Sequence, residues 1–491
     1  MYLDERKREK SRAQTRPRQH KPQGHGVGYT REYPNPASQP YYSGNIRPKP
    51  SPADQAQQQQ RRDVQLCQCF RKIALILKGS AILPGTLNLM RMSFLGQAME
   101  ELLRNDSISD CSERAELYAA FLTALEAIAL TPALVEYYTS PRDEIECTDG
   151  LEAIISGEGQ LVKKKDCSSS SMRLHSANEG VTAPPLLELM ENLGKQAETF
   201  YKTMGNVSLN SADENVVNSI NLCKSIIGVR KLLVSKAQRT GPSTSIPASQ
   251  QVDESETYRL SCADLAYDEF PNSIKVHFHY TATAQALRSV NPRRTITLAK
   301  ELSTMATSLP PGIFVRSMPN RPDCIKALIA GADGTPYYGG LFEFDIFAPE
   351  NYPIVPPKVQ LKTTANGKVR FNPNLYQYVF VPMTLNTRDG KVCLSLIGTW
   401  HGSPEEQWQA NKSTIMQILI SIQSMLLCAR PYYNEPGMGV ASDSPQDKIY
   451  NLNVRLQTIR VAMCDWMTAS NSQGLWKVFL PVEILLTLGR D

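Results

Sequence analysis

Apolar positions along this chain change period several times, and each change marks an element. In Ser112–Tyr138, Leu117, Phe121, Leu122, Leu125 and Ile128 recur at spacings of one, three and four, which predicts a helix broken or restarted at Thr131-Pro132. The same pattern begins near Val64, giving a helical region over residues 63–138. A second helical region, 184–237, divides into helices over roughly 185–206 and 212–237. Between the two regions, 139–183 carries Lys163-Lys164-Lys165 and Cys167-Ser168-Ser169-Ser170-Ser171 and reads as a linker. Residues 238–256, rich in Ser, Pro and Gln, read as another. Two helical segments without a fixed repeat suit either a small bundle or a fragment of a helical array.

The second half is patterned differently. A lead-in segment, 257–290, leans to strand at Ser273–His279. Arg294–Leu309 is amphipathic, with Ile296, Leu298, Leu302 and Met305 on one side. In Leu341–Phe347, Phe342, Phe344 and Ile346 alternate with Glu343 and Asp345, the mark of a half-buried antiparallel strand. Asn351-Tyr352-Pro353 and Pro356-Pro357 form a rigid loop, and Lys358–Lys362 is the next strand. Ile415, Ile418, Leu419, Ile422, Met425 and Leu426 return to helical spacing and are expected against the sheet, with further helices at 447–468 and 473–488. The fold class is α+β. An antiparallel meander with helices on one side occupies 291–468, a C-terminal helix occupies 469–491, and a mainly helical half precedes them.

Composition adds the N-terminal arm. Residues 1–62 lack periodicity, are rich in Arg, Gln, Pro and Tyr, and hold 13 Lys/Arg against 5 Asp/Glu, a net +8 in a chain of net +5. A disordered, solvated basic arm is the expectation. Such an arm suits RNA, DNA or anionic membrane, but no nucleic-acid recognition fold accompanies it, and nucleic acid is not an expected partner. The 11 cysteines are scattered, the opening Met1–Arg6 has no apolar run behind it, and the most apolar window, Leu475–Leu488, is interrupted by Lys477, Pro481 and Glu483. These features point to a reduced, cytoplasmic or nuclear setting without a membrane anchor.

The candidate chemistry lies in Gly390-Lys391-Val392-Cys393-Leu394, a cysteine just after a turn, with Asn372-Pro373-Asn374 upstream and Trp400 downstream. A thiolate is a nucleophile for acyl transfer, and a fixed carboxamide can donate to the oxyanion that forms. The bland alternatives are a buried structural cysteine and a turn asparagine. His277-x-His279 and Cys67-x-Cys69 each supply two ligand-type residues, too few for a zinc site, and His401 has no visible carboxylate partner. Neither metal nor cofactor is expected.

Together these residues resemble the ubiquitin-conjugating enzyme family. Tyr352-Pro353 with Pro356-Pro357-Lys358-Val359 matches its Tyr-Pro and Pro-Pro loop, Asn372-Pro373-Asn374 stands at its His-Pro-Asn turn, and Gly390–Leu394 with Trp400 matches its catalytic segment. Phe371–Tyr376, Thr399-Trp400-His401-Gly402, Pro404-Glu405-Glu406 and Pro431–Gly437 look like the large subclass, and in particular like the C-terminal region of giant inhibitor-of-apoptosis proteins of the BRUCE/apollon type. The likeness covers roughly 265–485. The zinc-binding repeat of those giants needs a Cys-x-x-Cys, which this sequence lacks, so their anti-caspase activity is not implied.

The resemblance implies that Cys393 accepts ubiquitin as a thioester and passes it to a lysine. It implies that Asn374 holds the loop or donates to the oxyanion, and that Asn434 or Glu435 is a gate beside the incoming amine, unless that segment is a plain solvated turn. Asn372 replaces a structural histidine, and Trp400 and Trp408 are expected to pack at the sheet edge. The implied partners are ubiquitin, the activating enzyme at the helix Arg294–Leu309, a ubiquitin ligase at the loop Tyr352–Pro357, and protein substrates. One departure bears on activity. Asn374 and Cys393 are 19 positions apart, more than the family carries there, and the excess falls near Gln377–Thr387. A flap, an extra strand and translated intron sequence all fit it, and each could move Asn374 from Cys393. A conjugating-fold adaptor of impaired catalysis, binding ubiquitin or a ligase, is therefore the alternative.

Overall fold

The computed structural model describes residues 51–79, 82–157, 159–164, 182–205, 214–239, 259, 262–270, 277–287, 291–375, 390–400, 402–435, 437–467 and 475–476. The chain divides into two compact units, one built from the chain up to Asn105 with Ser109–Gly194 and Asn221–Thr244, the other from Asp106–Ile108, Lys195–Ile220 and the chain from Ser245 onward.

The first unit centres on helices α1 (Pro52–Gly79) and α2 (Ala115–Leu130). The disorder expected through residue 62 is corrected here, since α1 begins at Pro52. Its first turns are exposed and are held by a local cap. The Ser51 hydroxyl lies 2.7 Å from Asp54 Oδ2, the Asp54 amide donates back to Ser51 Oγ at 3.2 Å, and Pro52 takes the first helical position. One turn before the apolar contacts begin, Arg114 grips Asp63 with two hydrogen bonds of 2.7 and 2.9 Å. Phe70 then meets Phe121 at 5.4 Å, and Leu117, Leu122, Leu125 and Ile128 are buried as their spacing predicts. Thr131 leaves the helix in an extended conformation before a 3-10 turn at Pro132–Leu134. The expected linker 139–183 is corrected in part: Arg142–Asp143 pairs with Thr182–Ala183, and Ile145–Thr148 with Leu161–Lys163. Two more long helices, α3 (Leu186–Met204) and α4 (Glu214–Arg239), fall where the pattern puts them, and the division between the units runs within each, after Gly194 and after Ile220.

The second unit holds a five-stranded sheet in chain order: β1 (Tyr267–Glu269), β2 (Ile313–Met318), β3 (Arg321–Ala330), β4 (Leu341–Phe347) and β5 (Lys358–Leu361). The last four form the expected antiparallel meander, while β1 adds to it in parallel. The lead-in strand is therefore at Tyr267–Glu269. Of the expected Ser273–His279, residues 273–276 lie outside the described residues and His277–His279 form a loop.

Helix α5 (Pro292–Ser308) starts where the Asn291 side chain accepts from the Arg293 and Arg294 amides, with Pro292 at the first position. Its Leu298, Leu302 and Met305 are buried with Val315, Ala327 and Phe344 of the sheet. The same core takes Ile415, Ile418 and Leu419 from α6 (Ile415–Ser421) and Val454 from α7 (Pro445–Gln457). Met425 departs from its expected place and is 56% exposed. Beyond α6 the chain winds as a π-helix over Ile422–Leu426, and this wider turn rotates Met425 out while Leu426 stays in. Residues 445–467 are helical throughout; of 473–488 only Leu475 and Trp476 are described.

The other face of the sheet corrects the half-buried reading of Leu341–Phe347. Strand register places Asp268, Arg316, Lys326, Asp345 and Gln360 side by side, and an isolated bridge carries the row on to Lys391. Lys326, Asp345 and Gln360 are buried because Phe278, Ala284, Trp466 and Trp476 cover this side. Among the described residues no single helix is long and apolar enough to cross a membrane.

Candidate active site

The segment Gly390–Val392 lies along the free edge of β5. The Leu361 amide donates to the Gly390 carbonyl at 2.8 Å, and the Val392 amide to the Val359 carbonyl at 3.3 Å. Gly390 has φ +78°, and a Cβ there would stand 2.3 Å from the Leu361 carbonyl oxygen, so the close approach needs glycine. Beyond it, the Leu394 amide donates to Thr399 Oγ1 at 2.9 Å and that hydroxyl donates to the Val392 carbonyl at 2.9 Å. One hydroxyl thus ties both sides of Cys393, with the 3-10 turn Ser395–Ile397 closing the loop. Sequence reasoning missed Thr399, since nothing about a threonine after a glycine announces such a clamp.

The asparagine turn meets this segment directly. The Cys393 amide donates to the Asn374 carbonyl at 2.7 Å. The 19-position interval therefore leaves Asn374 against Cys393, and the stretch Gln377–Thr387 itself lies outside the described residues. Asn372 organises the turn. It is fully buried, its Nδ2 donates to the Leu426 carbonyl at 2.8 Å, and its Oδ1 accepts the Asn374 amide at 2.8 Å. Tyr337, a second residue the sequence did not announce, donates to the Phe371 carbonyl at 2.7 Å. Asn374 contributes its backbone to the turn, while its side-chain Oδ1 is buried and has no hydrogen-bond partner among the described residues. Cys393 is 6% exposed.

The two gate candidates separate. Asn434 is committed to the end of the helical segment before it, donating to the Met425 carbonyl at 3.0 Å. Glu435 faces the turn through Arg370, whose Nη2 lies 3.2 Å from Glu435 Oε2 and 2.8 Å from the Pro373 carbonyl. Trp408 packs, but against the loop rather than the sheet edge, its ring 5.7 Å from that of Tyr352 and its Nε1 donating to the Pro353 carbonyl at 2.8 Å. Trp400 does not: it is 38% exposed, carried outward after the Gly398 turn. His401 lies outside the described residues. His279 uses its backbone amide on Asp345 Oδ2 at 2.6 Å, and its ring meets Tyr280 edge-on. Cys67 is buried and Cys69 exposed, as expected of neighbours on two faces of α1.

The Tyr352-Pro353 loop is anchored by Glu301 of α5. The Tyr352 hydroxyl donates to one carboxyl oxygen and the Ile415 amide, at the start of α6, to the other at 2.7 Å. Burial pushes the Glu301 carboxyl up to about 7, against the two hydrogen bonds that pull it down. A carboxyl raised on folding binds its proton more tightly in the native state. Stability should therefore fall as pH rises from about 4.5 to 7, with a slope approaching about 1.4 kcal/mol per pH unit, and level off above. Urea denaturation across pH 5–8 should show this, and Glu301→Gln should flatten it.

A family model described as ubiquitin-conjugating enzyme matches residues 297–457. The mouse protein named dual E2 ubiquitin-conjugating enzyme/E3 ubiquitin-protein ligase BIRC6 is 34% identical over 414 residues, which is 79% of this chain and 8% of that protein. The Caenorhabditis elegans probable ubiquitin-conjugating enzyme protein 17 is 32% identical over 383 residues, 74% of this chain and 48% of that one. The structure of human ubiquitin-conjugating enzyme E2 G1 is 27% identical, covers 28% of this chain and 98% of its own, and has a TM-score of 0.23. This chain thus spans a small part of the giant relative and about half of the worm one. An alignment of 414 residues also reaches well into the helical half, beyond the 265–485 over which motifs alone carry the likeness. On the strength of that match and of the family model, the chain belongs to the ubiquitin-conjugating enzyme family.

Proposed function

We propose that this protein is a ubiquitin-conjugating enzyme that carries ubiquitin on Cys393. The observation supporting this most is the 2.7 Å hydrogen bond from the Cys393 amide to the Asn374 carbonyl, which keeps thiol and carboxamide on one turn despite the intervening chain. The Cys393 thiolate attacks the carbonyl carbon of the activating enzyme's ubiquitin thioester, a new S–C bond forms, and the activating enzyme's thiolate leaves. A lysine amine then attacks the same carbon. The Asn374 carboxamide donates to the oxyanion, the C–S bond breaks, and the amine releases its proton. Glu435, held through Arg370, is the better gate candidate for orienting that amine. No cofactor enters these steps.

The activating enzyme would meet the outer side of α5 around Arg293. A ligase would meet the loop where Ile354 and Val355 are exposed apolar residues. Ligase character of its own is supported by the name of the mouse relative. A second reading, the impaired adaptor that binds ubiquitin or a ligase, is favoured by one observation, the 6% exposure of Cys393.

A charging assay with activating enzyme, ATP and ubiquitin, read with and without thiol reductant, separates the readings. A reductant-sensitive adduct on the wild type that vanishes in Cys393→Ala supports the enzyme. No adduct on the wild type, but one on a chain lacking Gln377–Thr387, marks that stretch as inhibitory. No adduct on either favours the adaptor. In the same assay Thr399→Val, which strips both hydrogen bonds from the Cys393 turn, should slow charging by about tenfold, the equivalent of ~1.4 kcal/mol.

A further inference from the structure

The helical unit contains a cavity of about 330 Å³, at the small end of ligand pockets. Its lining includes Arg91, Gly96, Gln97, Glu136, Tyr137 and Arg142. Three of these carry a buried polar atom with no hydrogen-bond partner among the described residues: Tyr137 Oη, Arg142 Nε and Gln97 Oε1. Tyr137 is 1% exposed and Arg142 8%. Unpaired buried polar groups are destabilising and rare, so three in one cavity ask for a partner.

The chemistry of the set is specific. The acids on the lining are already engaged, Glu136 with Arg91 at 3.0 Å and Asp143 with Lys163 at 2.6 Å. Arg142 spends Nη2 on Glu100 Oε2 at 3.1 Å and on the Pro184 carbonyl at 3.2 Å, which leaves its Nε. Gln97 spends its Nε2 on the Ile145 carbonyl at 2.8 Å, which leaves its Oε1. Burial pushes the Tyr137 phenol up, so it remains a neutral donor at physiological pH. Two donors, one of them cationic, and one acceptor are therefore vacant together. A Cβ on Gly96 would stand 2.6 Å from Arg142 Nη1 and 3.4 Å from Tyr137 Oη, so glycine there lets the guanidinium lie against the helix backbone beside the phenol, and a side chain would displace it.

We infer that this cavity binds the C-terminal end of a peptide, its carboxylate accepting from Arg142 Nε and Tyr137 Oη and its last amide N–H donating to Gln97 Oε1. The volume admits a chain end and excludes a folded domain. The pocket is separate from the Cys393 chemistry, and its occupation would place a partner or substrate tail on the helical unit.

The test is calorimetric titration of the full chain with N-acetylated Gly-Gly and Ala-Leu, each as free acid and as C-terminal amide, beside acetate and inorganic phosphate. Binding of an acid, loss of binding by its amide, and no binding of the simple anions are expected. Tyr137→Phe should weaken the acid by about tenfold, as expected for one hydrogen bond to a charged group. The same variant should melt no lower than the wild type without peptide, because the hydroxyl it removes has no internal partner. Gly96→Ala should abolish binding. Binding of acid and amide alike, binding of acetate or phosphate as tightly as the peptides, no binding at all, or a lower melting temperature of unliganded Tyr137→Phe would each overturn the inference.

Discussion

Replacing Asn374 with alanine should slow transfer of ubiquitin from Cys393 to lysine by about two to three orders of magnitude, the usual effect of losing one oxyanion donor. Charging of Cys393 should persist, since exchange between two thiolates has a good nucleophile and a good leaving group, whereas an amine attacking a thioester builds the oxyanion more slowly. The rival view makes Asn374 a turn residue only, and the geometry separates the two. The turn is held by Asn372 Oδ1 on the Asn374 amide and by the Asn374 carbonyl on the Cys393 amide, and alanine retains both backbone groups. The side chain that alanine removes carries an unpartnered buried oxygen, so the substitution should not lower the melting temperature. Single-turnover discharge of the charged protein to free lysine is the measurement. Discharge at the wild-type rate would reduce Asn374 to a turn former. Asn372→Ala should do the reverse and destabilise the unit, because its carboxamide bridges the Leu426 carbonyl and the Asn374 amide inside the core.

Where the sequence was read well, the reason is local. The apolar faces of α2, α5 and β4 follow from period alone, and Asn291-Pro292 and Thr131-Pro132 mark helix boundaries through cap and proline chemistry. Ser51-Pro52-Ala53-Asp54 carried an equally local start signal for α1, overlooked because polar, Gln-rich composition spoke for disorder. Where the reading failed, the cause lies far along the chain. Glu343 and Asp345 alternate like solvent-facing residues, yet among the described residues Trp466, Trp476 and the segment Phe278–Ala284 cover them, and their position in sequence does not announce it. At the site, the segment of Cys393, the turn of Asn374 and the loop at Tyr352 were legible as motifs, and the structure brings the first two together. The Thr399 clamp and the link of Glu435 through Arg370 to the Pro373 carbonyl were not, because each joins residues whose meeting depends on the folded turn.

That covered face leads to the largest expected change in stability. Lys326→Met should destabilise the conjugating unit by about 3–5 kcal/mol, the usual result of stranding a buried charge. Lys326 Nζ lies 2.6 Å from Asp345 Oδ1 and 2.7 Å from Glu343 Oε1, and Asp345 is wholly buried. Burial alone would drive the Lys326 ammonium toward neutrality, but the two carboxylates overrule it and hold its pKa above the ordinary value. Asp345 cannot turn to water once Lys326 is gone, because its other oxygen holds the His279 amide and the segment that covers it. Adding Asp345→Asn should recover most of the loss: it removes the orphan charge and retains an acceptor for that amide, so the pair should be strongly non-additive. Denaturant unfolding followed by tryptophan fluorescence reads this unit selectively, since Trp400, Trp408, Trp466 and Trp476 are the chain's four tryptophans and all lie in it. The row that holds Lys326 and Asp345 runs on through Gln360 to Lys391, two residues before Cys393. Charging by the single variant should therefore fail at a lower temperature than in the wild type, in step with the loss of stability, and the double variant should restore both. Independent loss of the two single changes, adding without interaction, would mean that the carboxylates find another cation and that the row is not held by this pair.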